Sequence, residues 1–505
     1  MNSIFNRIKS YYFKNKIEAR KIDTPKITFS DIWKGDPNLG SKINNSKDPI
    51  NEIKEFDTFN FIRDLKSFYT LKSRATCRKI VNYWIDLNIN LFSESYNKNL
   101  IANRICVICQ TYSWFAGSGE LNFQKKVLRF IYIQLELQTN YFKKKEIHQN
   151  FKIIKSLIIG NIFLFNDSEK INLYLSELYR LSKKLILTDG GHISRCPIEQ
   201  LDCLRDIIEI RACVASLKNV NTVTLHDLVR SMGDYFKIFC VKKDSFCTFN
   251  SGSLINKKTV NETLKRLTSS KNNFRFARNS GYASISYNKI DLIIDTGNKK
   301  ILTSDYIYKN KASITAFELF YSNHKIVTSM GTPNYNKNNS THFTATASTA
   351  AHSTMSIDNK NNFDLSKNRK VEYLSVKSSE SNHGYLISIE HDGYKDVFGI
   401  IHTRTFFISK EDQDFRGEDI ILDYENSSVK PKIATLRFHL YKDIKPIKLQ
   451  NGNILLQNSD NKVIGTFYSS VNTSKIQKTL IYEGTNKSSS NQIVIELSIK
   501  KIWSE

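Results

Sequence analysis

Apolar residues recur every three or four positions between about residue 55 and residue 230. The stretch "FNFIRDLKSFYTL" places Phe61, Ile62, Leu65, Phe68 and Tyr69 on one face of a helix, which is the pattern of a helix with one buried side. Four further segments repeat it: "CRKIVNYWIDLNINLF", "FQKKVLRFIYIQLELQ", "INLYLSELYRLSKKLIL" and "IEQLDCLRDIIEIRACVASL". Their connections are short, so we expect consecutive helices to be antiparallel neighbours.

The pattern changes to alternation after about residue 240. Segments such as "GYASISYNKIDLIIDTG" and "ITAFELFYSNHKIVTSMG" alternate or run apolar between Gly, Asn and Asp turns, as the strands of an antiparallel sheet do. Helices followed by a run of strands predict an α+β fold with two segregated domains and not a βαβ sheet. The chain of 505 residues is too long for one ordinary core. We expect an irregular leader with one short helix at 1–50, a helical domain at 51–235 and a β domain at 240–505.

The formal net charge is +25, and most of the basic residues are lysines. This charge favours an acidic partner, such as nucleic acid, an anionic membrane surface or an acidic polysaccharide; a solvated lysine-rich surface is the alternative. No basic run interleaved with aromatic residues marks a nucleic-acid face. No apolar run is long enough for a transmembrane helix, and the N-terminus has no recognisable secretory signal.

Eight cysteines lie between Cys77 and Cys247. Cys106 and Cys109 form a CxxC pair inside "NRICVICQTY", which has the pattern of a buried helix. No second pair follows at the spacing of a zinc ribbon, so we expect free structural thiols.

The stretch "TDGGHISRCPIEQ" joins two predicted helices. Gly190 and Gly191 can end the first helix, because glycine accepts the left-handed conformation of a C-cap, and Pro197 suits the first turn of the next. A plain turn does not explain His192 and Arg195. These two are either site residues or solvated loop residues.

The β half holds further candidates. His352 lies among small residues in "STAAHSTMSI", in a segment with the pattern of a strand, where it is either a site residue or a satisfied, partly buried histidine. Tyr282 starts a strand in "NSGYASI", where a packed aromatic ring is the simpler interpretation.

The segment "SIEHDGYKDVFGIIHTRTFF" carries His391, Tyr394, His402 and Arg404, and its Asp-Gly pair at 392–393 is a turn signal. His402 and Arg404 are two residues apart in a strand, so they share one face. These side chains either serve a sugar that bears a carboxylate or form an exposed polar face.

Seven motifs, "DGGHISRCP", "NSGYA", "AFEL", "TAAHST", "HDGY", "FGIIHTR" and "FRGEDIIL", occur in this order between Asp189 and Leu422. As an ordered set they resemble the heparinase II/III-like family of polysaccharide lyases, and most closely its proteobacterial branch. The resemblance covers about residues 55 to 465. The resemblance implies an incomplete (α/α) toroid followed by an antiparallel β-sandwich, with the site in the cleft between them. It also implies β-elimination at a uronic acid, in which a base removes the C5 proton and an acid protonates the leaving glycosidic oxygen.

The resemblance carries over to some residues and fails at others. His192 falls in the loop that faces the family's cleft, and His352 matches the histidine of its β-domain motif. The lyases place a tyrosine where this chain has Ile198 and Glu199, and an Asn-His pair on a preceding helix is represented only by Asn161.

Some relatives bind a structural zinc ion in the β domain. The motif that commonly reads His-Ala before a strand reads Lys311-Ala312 here. His352 would then lack a partner ligand, so we predict no zinc and no other cofactor.

The resulting hypothesis is a lyase-like enzyme for an acidic polysaccharide; a catalytically reduced glycan-binding protein on the same scaffold is the alternative. The resemblance implies the periplasm or cell envelope, and the missing signal favours the cytoplasm. We also expect His192 and His352 to face one cavity, about 5–12 Å apart. The candidates for proton transfer are His192, His352, Tyr282, His391 and Tyr394. The candidates for substrate binding are Arg195, Arg404, His402 and Asn161.

Overall fold

The computed structural model describes residues 22–499, apart from residues 88–96, 144–149, 216, 219, 221, 241–246, 251–256, 269–271, 299–310, 323, 334–344, 363–370, 372, 413, 425–426, 428, 472 and 485. Contacts divide the chain into two compact units. The first comprises Met1–Lys184 and Cys203–Val229, and the second comprises Leu185–Asp202 and Arg230–Glu505. The whole stretch "TDGGHISRCPIEQ" therefore lies in a segment that groups with the strands of the second unit.

Helices account for most of the described residues before residue 240. They are Pro37–Asn45 (α1), Phe61–Phe68 (α2), Leu71–Leu87 (α3), Lys98–Phe115 (α4), Leu121–Lys143 (α5), Phe151–Leu164 (α6), Ser168–Leu185 (α7), Pro197–Val214 (α8) and Val223–Phe236 (α9). Asparagines cap two of them: Asn97 accepts a hydrogen bond from the backbone N–H of Asn99, and Asn150 from that of Lys152. Such caps satisfy N–H groups that have no partner inside the helix.

Helix α6 is buried on nearly all sides, with only Lys152 partly exposed. Gly160 lets helix α5 approach closely, because a Cβ atom at this position would lie 2.8 Å from Leu135 Cδ1. The sequence "IIKSLIIGNIFLF" is therefore the centre of a helical core. No helix among the described residues is long and apolar enough to span a membrane.

A buried charge network lies beside α6. Lys155 Nζ is 2.7 Å from both Asp206 Oδ1 and Glu209 Oε2, and Glu209 also accepts a hydrogen bond from Gln110 and pairs with Arg63. Burial opposes the Glu209 charge, but Lys155 and Arg63 outweigh it and lower the pKa of Glu209 to about 2. The network holds together helices that are distant in sequence.

Replacing Lys155 by methionine is expected to lower the free energy of unfolding by about 3–5 kcal/mol. Asp206 would stay buried without its cation, and Glu209 would keep only its pair with Arg63. Urea unfolding followed by tryptophan fluorescence measures this loss. The control is Lys170→Met, which removes an exposed ion pair with Asp167 and should cost less than about 1 kcal/mol. Equal losses for the two variants would contradict the prediction.

The second unit is built from antiparallel sheets. The larger sheet has ten strands in the order β1-β2-β3-β4-β5-β12-β17-β16-β6, with β7 paired to β12; the others are β11-β10-β9-β8 and β13-β14-β15. Only the β16–β6 pairing is parallel among the strand pairs described. The strands are Phe274–Ala277 (β1), Tyr282–Tyr287 (β2), Ile290–Asp295 (β3), Phe317–Tyr321 (β4), His324–Thr328 (β5), Gly331–Pro333 (β6), Met355–Ile357 (β7), Leu374–Glu380 (β8), Gly384–Tyr394 (β9), Ile400–Ser409 (β10), Phe415–Asp423 (β11), Ile433–Leu440 (β12), Lys445–Lys448 (β13), Ile454–Gln457 (β14), Val463–Phe467 (β15), Lys475–Gly484 (β16) and Asn486–Ser498 (β17).

One apolar core joins the ten-stranded and four-stranded sheets. Ile285 and Leu292 of the larger sheet share it with Ile387 and Phe406 of the smaller, as the two inner faces of a β-sandwich do. The α+β prediction, with a helical part followed by antiparallel sheets, is confirmed.

Two local predictions are wrong. The Asp-Gly pair at 392–393 is not a turn but lies inside β9, where a Cβ atom on Gly393 would lie 2.0 Å from the backbone oxygen of Asn362. The chain turns later, at the helix Lys395–Phe398 (α10). His352 is not in a strand, because it directly follows a 3-10 helix at Thr349–Ala351.

All eight cysteines are free, as expected. Burial raises the pKa of the Cys106 thiol to about 12. A thiol of this kind packs as a small apolar group and is a poor nucleophile.

Candidate active site

The first two motifs bind each other within the second unit. Asp189 accepts hydrogen bonds from the backbone N–H groups of Asn279 at 2.8 Å and Ser280 at 2.7 Å, and from the Ser280 hydroxyl at 2.6 Å. Gly190 has a φ of +85°, and a Cβ atom on Gly191 would lie 1.8 Å from Ser280 Oγ. The glycine pair therefore allows close packing. The prediction that it ends the preceding helix is wrong, because α7 already ends at Leu185.

Arg195 completes this attachment. Its guanidinium donates to the backbone oxygens of Ser280 at 2.7 Å and Gly281 at 3.0 Å, and to the Asp295 carboxylate. It also lies over the ring of Tyr282, 4.7 Å from the centroid. Burial disfavours the cation, but Asp295 outweighs this effect and raises the pKa of Arg195. The sequence suggested Arg195 for substrate binding, but its guanidinium is bonded to acceptors of the protein itself.

Asp295 connects this loop to the segment before β4. Its Oδ2 accepts from the Ser313 hydroxyl at 2.8 Å, while Oδ1 accepts from Arg195 and from the backbone N–H of Gly297. The backbone N–H of Thr315 also donates to the Asp295 carbonyl at 2.9 Å. One fully buried carboxylate thus organises three segments that are far apart in sequence.

His352 has an unusual environment. The side chain is 2% exposed, and neither ring nitrogen has a hydrogen-bond partner of standard geometry among the described residues. Burial is the largest cause that lowers the pKa of His352, followed by Lys311 and His439, while the backbone of Thr346 opposes them. The Thr346 contact is a hydrogen bond to the ring that falls outside standard geometry. The imidazole is therefore neutral at pH 7 and has hydrogen-bonding capacity for a ligand or a proton.

Lys311 lies on a segment that runs beside the one that carries His352. The backbone N–H of Ala312 donates to the Ala347 carbonyl at 2.9 Å, and the Thr354 hydroxyl donates to the Ile314 carbonyl at 3.0 Å. The Lys311 side chain is buried, and burial lowers its pKa to about 8.

Arg404 ties the same two segments together. Its Nη1 donates to the backbone oxygens of Thr315 at 3.4 Å and Ser353 at 3.1 Å, and its Nε lies 3.1 Å from Asp419 in an ion pair. Burial lowers the pKa of Arg404, and Asp419 opposes this. Arg404 is thus a buried support for the His352 segment, engaged by backbone carbonyls and a carboxylate of the protein.

His391 and His402 form a hydrogen-bonded chain with Asp419. The backbone N–H of Gly393 donates to His391 Nδ1, so His391 Nε2 carries the proton and donates to His402 Nδ1 at 3.0 Å. His402 Nε2 then donates to Asp419 at 2.8 Å. Both histidines are fully buried, which differs from the exposed polar face considered from the sequence.

Four buried histidines of this unit are expected to make it sensitive to acid. Burial lowers the pKa of His352, His391 and His402, and lowers that of His439 to about 4. Because an unfolded histidine titrates near 6.5, the unfolded state binds more protons below that pH. Stability present above about pH 6.5 is therefore lost as the pH falls toward the folded-state values, by up to about 1.4 kcal/mol per pH unit for each histidine.

Urea unfolding at a series of pH values between 7.5 and 5.5 tests this expectation. The variant His391→Gln should show a shallower dependence than the wild type, because it removes one of the titrating groups. A free energy of unfolding that stays constant over this range would contradict it.

The two candidate tyrosines are held by the protein. The Tyr282 hydroxyl accepts a hydrogen bond from Asn250 at 2.6 Å and donates to the Arg195 carbonyl at 3.3 Å, and the Tyr394 hydroxyl donates to the Met355 carbonyl at 2.8 Å. Burial raises the pKa of both phenols.

His192 is buried in the loop that Arg195 anchors. Its Nδ1 accepts from the backbone N–H of Ser194 at 3.2 Å and lies 2.8 Å from the Ser194 hydroxyl, while Gln200 accepts from its backbone N–H. The neutral ring then carries its proton on Nε2.

Asn161 lies in the first unit, near the end of α6. Its side-chain oxygen accepts from the backbone N–H of Asp167 at 3.3 Å. This contact closes the turn that follows the helix.

The candidates therefore fall into groups. His352 has hydrogen-bonding capacity that the described residues leave unused. The loop of His192 and the segment of Lys311 are joined through Asp295, and Arg404 joins the latter segment to that of His352. Asp189 and Asp295 were not predicted as site residues from the sequence. For Asp295 the available signal was a carboxylate at the end of a predicted strand, in "IIDTG".

No group of three or more His, Cys, Asp or Glu side chains is arranged for a metal ion within the described ranges. The absence of zinc stays a prediction that metal analysis of the purified protein can test.

A helical part followed by a β-sandwich of this kind is the architecture of polysaccharide lyases with an (α/α) toroid. Residues 269–501 match the family model described as Heparinase II/III-like, C-terminal. The resemblance seen in the motifs is confirmed: this region is similar to heparinase II/III-like C-terminal domains.

Solved structures extend the likeness to nearly the whole chain. Heparinase III is similar with a TM-score of 0.66 and 13% identity, covering 97% of this chain and 87% of that one. Heparan sulfate lyase HepC from Pedobacter heparinus is similar with a TM-score of 0.62 and 12% identity, covering 98% of this chain and 86% of that one. At these identities the likeness shows the fold, a toroid followed by a sandwich. No curated protein matched the sequence.

Proposed function

We propose that this protein is a polysaccharide lyase that cleaves an acidic, uronate-containing glycan by β-elimination. The observation that carries the proposal is His352, a buried neutral imidazole whose ring nitrogens make no hydrogen bond of standard geometry with the described residues, within a heparinase II/III-like domain. An acidic envelope or capsular polysaccharide is the proposed substrate class, which would put the protein in the periplasm or cell envelope.

In the proposed mechanism His352 is the base. A neutral imidazole can take the C5 proton beside the uronate carboxylate, and its lowered pKa keeps it neutral at pH 7. His192 is the proposed second proton-transfer group, because a protonated Nε2 can donate to the leaving glycosidic oxygen. Both side chains then face one cavity, which remains part of the proposal.

The other candidates take supporting roles in this proposal. Arg195 and Arg404 hold the segments of His192 and His352, and their guanidinium groups contact protein acceptors. Tyr282 and Tyr394 likewise donate to backbone carbonyls. The proposal therefore assigns the chemistry to the two histidines.

The test is a screen of uronate polysaccharides with purified protein. β-Elimination leaves a carbon–carbon double bond conjugated to the carboxylate, so product formation is followed by ultraviolet absorbance. We expect absorbance to rise with at least one polymer and not with a neutral polysaccharide. Absence of absorbance and of chain shortening on every uronate polymer would reject the proposal.

The alternative is a glycan-binding protein that has lost catalysis. Ile198 and Glu199 in the first turn of α8 favour it, because the resembling lyases place a tyrosine in this region. Binding of an acidic polymer without unsaturated product would support this alternative.

A further inference from the structure

Thr315, which lies two residues before β4, has a strained backbone conformation. Its φ is +66°, and it is the one β-branched residue among the described non-glycine residues with a positive φ. The side chain is also fully buried. A β-branched residue rarely adopts this conformation, because its Cβ atom crowds the neighbouring carbonyl oxygen. Such strain persists only where surrounding contacts impose it, and it is concentrated at functional sites.

Three contacts hold Thr315 in this conformation. Its backbone N–H donates to the Asp295 carbonyl at 2.9 Å, its carbonyl accepts from Arg404 Nη1 at 3.4 Å, and its hydroxyl lies 2.6 Å from the Thr354 hydroxyl. The Thr354 hydroxyl has one hydrogen, which it donates to the Ile314 carbonyl at 3.0 Å. The Thr315 hydroxyl is therefore the donor in the contact between the two threonines.

The same contacts reach the segment that carries His352. The backbone N–H of Thr354 donates to the His352 carbonyl at 2.9 Å. Arg404 Nη1, which contacts the Thr315 carbonyl, also donates to the Ser353 carbonyl at 3.1 Å. Thr315 is thus connected to both residues that follow His352, to the second through its own hydroxyl and to the first through Arg404.

We propose that Thr315 is a positioning residue, whose hydroxyl fixes Thr354 and thereby the orientation of the His352 imidazole. The inference rests on the proposed function for the role of His352 as the base. A base must be held within hydrogen-bond reach of the proton that it removes. The ring nitrogens of His352 make no hydrogen bond of standard geometry with the described residues, so the orientation of the ring depends strongly on its backbone.

The strain itself indicates that the hydroxyl is the useful part of Thr315. Glycine would adopt a positive φ without strain, but it has no hydroxyl to donate to Thr354. Valine would have the same shape as threonine and the same strain, again without the donor. Threonine and serine are the small side chains that supply a hydroxyl at this position.

Three variants separate the hydroxyl of Thr315 from the rest of its side chain. Thr315→Val keeps the shape and removes the hydroxyl, Thr315→Ser keeps the hydroxyl, and Thr315→Gly removes the hydroxyl and relieves the strain. The glycine variant provides a folded protein for the test if the valine variant does not fold. The control is Thr111→Val, which removes another fully buried hydroxyl, one that donates to the Val107 carbonyl at 2.6 Å in the first unit.

We expect kcat to fall by about 10- to 100-fold in Thr315→Val and Thr315→Gly, as a displaced catalytic group predicts. KM should change little, because the proposed role of Thr315 involves no contact with the substrate. Thr315→Ser should recover most of the activity, and Thr111→Val should keep the wild-type kcat per folded molecule. The rates are those of unsaturated uronate formation on the polymer that the screen identifies.

An NMR titration reports on the same position without any need for activity. The His352 resonance is identified as the one missing from His352→Gln. We expect the His352 pKa to rise toward its ordinary value in Thr315→Val and Thr315→Gly, because a less firmly held segment admits water to the buried ring. Thr315→Ser and Thr111→Val should titrate as the wild type does.

An unchanged His352 titration in Thr315→Gly would overturn the inference, as would an active enzyme whose kcat is unchanged in that variant. Equal impairment of Thr315→Ser and Thr315→Val, or an equal shift of the titration in Thr111→Val, would overturn it as well. Failure of the proposed function gives a different result. The wild type then cleaves no uronate polymer, and the titration alone decides whether Thr315 positions His352.

Discussion

Replacing Asp295 by alanine is expected to lower the free energy of unfolding by about 3–5 kcal/mol. The change removes the carboxylate that pairs with Arg195 and accepts from Ser313 and the Gly297 N–H. A buried guanidinium would remain without its counter-charge, and the loop of His192 would lose its connection to the Lys311 segment. Urea unfolding measures the loss.

Two variants make this measurement specific. Glu496→Ala removes an exposed ion pair with Lys475 and should cost less than about 1 kcal/mol. The double variant Arg195→Met with Asp295→Ala should lose less than the sum of the single variants, because the pair is already broken by either change. Additive losses would show that the two side chains act independently.

Replacing His352 by glutamine is expected to reduce lyase turnover by about 10²–10⁴-fold, which is the usual contribution of a general base. Glutamine has a similar volume and leaves the neighbouring 3-10 helix intact, so the far-ultraviolet circular dichroism and the unfolding midpoint should change little. Activity is measured as the rate of unsaturated uronate formation on the polymer that the screen identifies.

The matched control is His391→Gln. His391 is equally buried, but its ring nitrogens contact Gly393 and His402. This variant should lose stability and keep its activity per folded molecule. If His391→Gln abolishes turnover and His352→Gln does not, the general base has been assigned to the wrong histidine.

Several site residues illustrate the limits of sequence patterns. A histidine and an arginine two positions apart in a strand do share one face, as predicted for His402 and Arg404. The pattern could not tell that this face is buried, because strand β10 lies between two others in its sheet and packs on the core. The sequence pattern also could not predict the contacts of Arg195, because its acceptors lie 85 to 100 residues further along the chain.

The sequence by itself determined the helical part, the antiparallel β part, their order and the family resemblance of the motifs. Periodicity and turn residues are local properties, so they can be read without knowing distant contacts. Only the tertiary structure decided which polar side chains form hydrogen bonds or ion pairs with other groups of the protein. Asp295 pairs with Arg195, and Asp419 pairs with His402 and Arg404. The ring nitrogens of His352 make no hydrogen bond of standard geometry within the described structure. A hydrogen bond depends on atoms brought together by folding, and these partners are widely separated along the chain.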